Sequence, residues 1–410
     1  MYKEIDYCRI SKSTHLIPIL DLGAQYLTGV FPKSNNTEIT KGPIQVVWCP
    51  TSGLVQLKHS YDIEEMYGDG YGYRSGLNSS MADHLRRKVR YLERTYEPTF
   101  SDLIIDIGSN DGTLLNAYSV TGLRRIGIDP SADRFESFYD EDIDLISDFF
   151  SSDILRAHGA KGKAKIITSI AMFYDLEDPN RFVADVADTL APNGIWHFEQ
   201  SYLPSMLRTT SYDTICHEHL EYYSLRVIKN LLEMHSLRII DVQMNGVNGG
   251  SFAVTACHTS AEYPSNVATI AWLLGQEDRM NLDTPKPYRD FESRVFAHRT
   301  DLRSLIHSLR ASGKRIAGYG ASTKGNVMLQ FCNFSSNEIE SIGEINPDKF
   351  GKVTPGSNIP ILPESEVKAG MPDYMLVLPW HFRESIIRNE QTYLESGGKL
   401  IFPLPEIEIV

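Results

Sequence analysis

The 410-residue chain predicts an α/β protein in which two doubly wound, mostly parallel sheets follow a small β-rich N-terminal module. Three observations carry this expectation. Apolar strand-length runs alternate with helical patterns from about residue 81 to His258, and a second alternating series begins at Arg315. In the run DIGSNDGTLL, Asp106 to Leu115, a buried strand breaks at a glycine turn that reads as the opening of a helix.

Residues 1–80 read as short strands and turns, the clearest being hairpin arms over 44–48 and 53–57 around Cys49-Pro50. Helical spacing covers 81–95. The strands of the first sheet are expected at 103–107, 125–129, 143–147, 166–171, 195–200, 237–244 and 251–257. The last two leave no room for a long crossover helix, so the sheet should end in an antiparallel hairpin. A polar-apolar helix over 290–312 bridges to the second sheet, with strands at 315–318, 339–345, 374–379 and 399–403. The expected division is 1–80, 81–289 and 290–410.

The glycine turn carries the most chemistry. Leu103-Ile104-Ile105 is apolar, as a strand covered on both faces must be, and Gly108 and Gly112 permit a backbone geometry and close approach that a Cβ would block. Asp129 ends the second strand 23 positions after Asp106, where a carboxylate can accept hydrogen bonds from both hydroxyls of a ribose. A dinucleotide pyrophosphate would favour bare amides, whereas Asp106 and Asp111, with Asn110 between them, suit a ligand that carries an ammonium group and a sulfonium. That ligand is S-adenosylmethionine. Asp148 and Phe149 stand where a third strand would deliver an acid and an aromatic face to adenine. The plainer reading of the turn is a tight strand-to-helix connection with solvated acids.

The segment YDTICHEHLEYY, 212–223, lies past the fifth strand, where such sheets hold their ligands. His217 and His219 lack the i, i+4 spacing of a zinc helix, and no metal is expected there. A neutral imidazole is the natural base for a proton beside a carbonyl, and a glutamate can fix its tautomer. His219 with Glu218 is the candidate pair, with Tyr223 placed near the substrate; the alternative is that these histidines cap the following helix. Tyr67, Tyr71 and Tyr73 alternate with glycines, either as phenols for a developing oxyanion or as a surface turn.

GYGASTKGN, 318–326, sets Ser322, Thr323 and Lys324 at a strand-to-helix turn suited to phosphate, without the spacing of a nucleoside triphosphatase. Asn346, Asp348 and Lys349 follow the next strand, where they would read a ribose or base, or form a polar loop around Pro347. Trp380 and His381 would pack on a ligand or close the core.

The formal net charge of −13 opposes a nucleic-acid backbone or an anionic membrane as partner. The densest basic cluster, 86–90, falls on a helical pattern and reads as a solvated face. The N-terminus leads into no apolar stretch, and no apolar run reaches the roughly 18 residues of a membrane helix, so a cytoplasmic protein is expected. Five scattered cysteines, at 8, 49, 216, 257 and 332, fit a reducing compartment.

Together, the turn at Asp106, the triplet His217-Glu218-His219, the GYGASTKG loop and the Cys-containing N-terminal hairpin resemble the sugar C-methyltransferases that act on nucleotide-linked keto-sugars, over nearly the whole chain. The resemblance implies a class I methyltransferase Rossmann-like domain, flanked by a small N-terminal zinc-binding-type module and a second, C-terminal Rossmann-like domain that helps hold the nucleotide-sugar. It implies a place in deoxysugar biosynthesis, with His219 as base, Glu218 as its neighbour, and Tyr71 or Tyr73 near the sugar.

Three departures stand out. The family's module uses two Cys-x-x-Cys pairs, and here Ser11 and Ser52 replace the second cysteine of each. Two thiolates cannot complete a tetrahedral zinc site, so the hairpin is expected to fold without metal. Cys216 stands where a related enzyme has tyrosine, and Asp175 where histidine is frequent. A sugar O-methyltransferase and a catalytically idle nucleotide-sugar-binding protein are the other readings.

Overall fold

The computed structural model describes residues 1–33, 38–62, 65–66 and 74–410. Its central sheet has seven strands, in the order Leu237–Asn245, Ser251–His258, Leu190–Ser201, Ala164–Ile170, Leu103–Ile107, Arg124–Ile128, Ile143–Ile146. Only Ser251–His258 runs against its neighbours, which gives the expected hairpin. Every residue of Leu103–Ile107 is buried, Asp106 along with its four apolar neighbours, as in a strand covered on both faces. The fifth strand in the chain starts five residues before the expected 195, because Pro192-Asn193-Gly194 is absorbed as an irregularity between Leu190 and Ile195. Strand order reverses between Leu103–Ile107 and Ala164–Ile170, and a ligand crevice opens at such a point.

Helix Ser79–Tyr96 leads into this sheet. It starts two residues before the expected 81, because the Asn78 side chain accepts from the Ser80 and Met81 amides as an N-cap. Met81, Leu85, Val89, Leu92 and Tyr96 form its buried stripe. The cluster at 86–90 is not wholly solvated: Lys88 turns inward to Glu199 at 2.7 Å, and His84 meets the same carboxylate at 2.6 Å.

The glycine turn opens no α-helix. Leu115–Ala117 is a single 3₁₀ turn, and the Thr113 amide and hydroxyl both bond Asp111 Oδ1, a local pairing that competes with helix formation.

A second, six-stranded sheet runs Ile361–Pro363, Ile342–Glu344, Ile316–Tyr319, Tyr374–Val377, Lys399–Phe402, Glu408–Ile409, parallel except for its last member. Ile361–Pro363 was not foreseen; three residues ending in proline leave no periodicity to read. The bridging helix is Lys286–Ala311, preceded by Val267–Met280.

The N-terminal module is a sheet of Ile17–Tyr26, Lys41–Trp48 and Val55–Leu57, and its fourth strand comes from far along the chain. Glu221–Tyr222, the tail of the 212–223 segment, pairs antiparallel with Gln56 and Val55. One hydrophobic cluster joins this sheet to the C-terminal half, and another joins the Cys8/Cys49 end to the central sheet. The module is therefore a wedge between the two larger layers. Among the described residues, no helix is long and apolar enough to cross a membrane.

Candidate active site

A cavity of about 280 Å³ opens at the carboxyl ends of Leu103–Ile107 and Ala164–Ile170, the point where strand order reverses. Asp106, Gly108, Asn110, Asp129, Asp148 and Phe149 line it from one side; Ile170, Ala171, Met172 and Asp175 line it from the other. Gly108 has φ +72°, and a Cβ there would meet Met172 Cγ at 3.0 Å, so only glycine keeps this wall.

The Asn110 amide donates to Asp129 Oδ2 at 2.9 Å, while the Ser131 amide and hydroxyl hold Oδ1. Asp106 is buried and accepts from the Thr168 hydroxyl at 2.5 Å; burial, against that bond and with help from Asp129, raises its carboxyl to about 7. Phe149, 52 % exposed, stands at the rim.

Two expected members of this wall face elsewhere. Asp111 accepts from the Gly76 amide at 2.9 Å and lies 3.4 Å from Arg74 Nε, so its carboxylate anchors the segment before helix Ser79–Tyr96. Gly112 packs under the Tyr139 ring.

The 212–223 segment is held from three sides. The Leu220 and Glu221 amides donate to the Tyr174 carbonyl, Leu57 donates to Leu220, and the Trp380 indole donates to Asp213 Oδ2 at 2.7 Å. Fully buried Arg9 sits 3.6 Å from Glu221 and donates to the Leu57 carbonyl.

Within this frame the ring of His219 packs on Tyr174, with centroids 4.3 Å apart, and its Nδ1 lies 2.7 Å from the Thr214 carbonyl. A carbonyl only accepts, so Nδ1 carries the hydrogen and Nε2 keeps its lone pair. Burial, and then the Lys324 ammonium, pushes this imidazole down to about 3. The expected role of Glu218 in fixing the tautomer is thus taken by a backbone carbonyl. Glu218 is raised to about 7 by burial. Its carboxylate lies against Gly29 of the N-terminal module. The donor atoms of Cys216, Glu218 and His219 fall within 4.8 Å of one another.

The remaining expected site residues divide. His217 turns away into an edge contact with Tyr61, 4.6 Å between centroids, and burial lowers it to about 4. Tyr223 is core: it is 1 % exposed and stacked on Phe173 at 5.3 Å. Tyr71 and Tyr73, with Tyr67, lie outside the described residues.

In the C-terminal half, Ser322 caps helix Thr323–Phe331 by accepting from the Gly325 amide at 3.0 Å. Lys349 donates to the Ala321 carbonyl at 2.8 Å, and Asn346 accepts from the Asp348 amide. Ser322 and Asn346 thus shape their own turns, and Lys349 ties the two loops together. Lys324 differs: its Nζ crosses to the Asn248 carbonyl, 3.2 Å away, beside Asp213 and within electrostatic reach of His219 and His381. Sequence reasoning missed Tyr174, Asp213 and the direction of Lys324, because each depends on contacts made across layers.

At the N-terminal knuckle, Cys8 Sγ lies 3.2 Å from Ser52 Oγ and Cys49 Sγ lies 3.5 Å from Ser11 Oγ. Burial alone would raise the Cys49 thiol; hydrogen bonds from Ser11 and Ser52 outweigh it and bring the thiol to about 7. The four side chains converge as knuckle ligands would, yet two hydroxyls are poor donors for zinc, and the set does not fit that metal.

A strand-order reversal with an acid at the end of each of two adjacent strands fits a methyltransferase, and comparison with known proteins agrees. Residues 78–242 match a methyltransferase domain model, 246–405 a C-methyltransferase C-terminal domain model, and 8–67 a zinc binding domain model. The C-methyltransferase NovU of Streptomyces niveus is 31% identical over 100% of this chain and 97% of its own length. The chain belongs to the C-methyltransferase family, and its cofactor is S-adenosylmethionine. Among solved structures, an S-adenosylmethionine-dependent methyltransferase from Clostridium acetobutylicum covers 43% of this chain and 92% of its own, at 11% identity and a TM-score of 0.33. The N-methyltransferase NodS from Bradyrhizobium japonicum covers 44% and 98%, at 12% identity and a TM-score of 0.32.

Proposed function

We propose that this enzyme methylates the carbon adjacent to the ketone of a nucleotide-linked keto-sugar. The observation that carries the reading is the His219–Thr214 bond, which leaves Nε2 as a free base beside Tyr174 and one residue from Asp175 of the cofactor cavity. Asp106, Asn110 and Asp129, with Asp148 and Phe149 toward the adenine, would hold S-adenosylmethionine, which would supply an electrophilic methyl group.

His219 Nε2 takes the α-proton, and ionised Glu218 offsets the charge of the resulting imidazolium. The layers around 212–223 exclude water and hold the base in line, and such alignment is worth roughly 7 to 11 kcal/mol. Tyr71 and Tyr73 complete the proposal as phenol donors to the sugar.

The test is incubation with isotope-labelled methyl donor and a panel of nucleoside diphosphate keto-sugars. Methyl transfer to carbon supports the reading. Transfer to a hydroxyl makes the protein an O-methyltransferase, and absence of transfer to every member of the panel makes it a binding protein.

A further inference from the structure

We propose that Lys324 is a catalytic residue, whose ammonium donates a hydrogen bond to the oxygen on which negative charge develops when the carbon beside the ketone loses its proton. This rests on the C-methylation reading above and deepens it, because enolisation needs a positive group at that oxygen as much as a base at the carbon.

The placement is unusual for a loop lysine. Lys324 lies in the first turn of helix Thr323–Phe331, which packs on residues 212–214, and its Nζ leaves its own sheet to bond the Asn248 carbonyl at 3.2 Å. An ammonium has three N–H donors. Among the described residues Lys324 makes that one hydrogen bond and no ion pair. Asp213, the acid whose charge Lys324 feels, is occupied at Oδ2 by the Trp380 indole, and among the described residues its Oδ1 is buried without a hydrogen-bond partner. A set-in cation with unused donors and no salt bridge is costly to fold around unless an anion arrives.

The surroundings say which anion. Helix Thr323–Phe331 packs on residues 212–214, and His219 bonds the Thr214 carbonyl, so the lysine and the imidazole meet at the same short segment and feel each other's charge. A diphosphate would favour a second free cation, and Lys349 is already paired with Glu344 at 3.9 Å and bonded to the Ala321 carbonyl. A lone ammonium on the segment that carries the base suits a single developing oxyanion. The same charge opposes a divalent cation at the Cys216, Glu218 and His219 donors.

The electrons balance without any further reagent. His219 Nε2 takes the proton; the C–H pair forms a carbon–carbon double bond, and the carbonyl π pair moves onto oxygen, where Lys324 receives it. On methyl transfer the oxygen pair re-forms the carbonyl, the double-bond pair makes the new C–C bond, and the C–S pair stays on sulfur. The proton leaves His219 for solvent.

The test compares wild type with Lys324→Met and Lys324→Arg in deuterated solvent, without methyl donor, using a nucleoside diphosphate 4-keto-hexose as probe and following deuterium at the carbon beside the ketone. Removing one oxyanion donor should lower the maximal exchange rate about a hundred- to a thousandfold in Lys324→Met, with partial rescue in Lys324→Arg. The probe's KM and S-adenosylmethionine affinity should stay within about threefold. A raised KM with an unchanged maximal rate would make Lys324 a phosphate ligand, and an unchanged rate and KM would make it structural; either overturns the proposal. Absence of exchange in wild type overturns the C-methylation reading itself, which keeps the two failures apart. Methionine removes a set-in charge while matching the lysine stem, and an unaltered thermal transition with retained cofactor binding certifies the fold.

Discussion

Glu218 leans on Gly29 so closely that a Cβ at position 29 would fall 1.9 Å from its Oε1. The two residues are 189 positions apart in sequence, and their contact is where the N-terminal module reaches the neighbour of the proposed base. Gly29→Ala should therefore displace the far end of a flexible side chain and leave the core alone. Its thermal transition should move by no more than a few degrees, whereas turnover should fall about ten- to a hundredfold through misplacement of the carboxylate. Unchanged turnover in a folded variant would separate Glu218 from the chemistry.

The carboxyl of Glu218, raised to about 7 by burial, should show in the pH profile. If its ionised form supports the imidazolium, kcat/KM should rise through pH about 7 and lose that limb in Glu218→Gln. Stability should run the other way. The folded state holds the proton more tightly than the unfolded chain, so the contribution is full below the ordinary value of 4.5 and is lost as pH rises through about 7. Glu218→Gln should accordingly stabilise the protein at pH about 8 by on the order of 2 to 3 kcal/mol, read by denaturant titration. A variant less stable than wild type at that pH would contradict the burial argument.

Asp106 makes the same kind of prediction for the cofactor. Its carboxyl stands near 7 because it is buried beside Asp129, and an ammonium ligand binds the ionised form. Affinity for S-adenosylmethionine, measured calorimetrically, should improve about tenfold between about pH 6 and about pH 8, with proton release on binding. Asp106→Asn should bind more weakly and lose the dependence. A flat profile in wild type would remove Asp106 from the ammonium site.

At the knuckle, the hydroxyls of Ser11 and Ser52 occupy the places of two thiolates and bond the thiols that remain. Purified protein should carry well under one equivalent of zinc by elemental analysis, and a chelator should leave its thermal transition in place. Stoichiometric zinc, or unfolding by chelator, would contradict this.

Much of the fold is legible in the sequence because strands leave a pattern: 103–107 is readable as a buried parallel strand, and 237–244 as a half-exposed edge strand. Ile361–Pro363 and Glu221–Tyr222 were not, since strands of three and two residues have no period and owe their existence to a neighbour's edge. The cavity wall was legible where a backbone demand fixes the residue, as at Gly108. It was misread at Asp111, whose carboxylate goes to Gly76 and Arg74. Around the proposed base, His219 could be singled out from the HEH triplet and its place past the fifth strand. Its tautomer could not, because the deciding partner is the Thr214 carbonyl, and any residue type would provide one. Tyr223 looked like a site residue only because it adjoins the segment in sequence; packing on Phe173 places it in the core.

The most direct measurement of the central claim is the fate of an isotope-labelled methyl group on a nucleotide keto-sugar, followed by NMR for wild type and His219→Asn. The account predicts a methyl bonded to the carbon beside the ketone in wild type, and loss of transfer with S-adenosylmethionine binding retained in the variant. A methoxy product, or carbon methylation at an undiminished rate by His219→Asn, would contradict it.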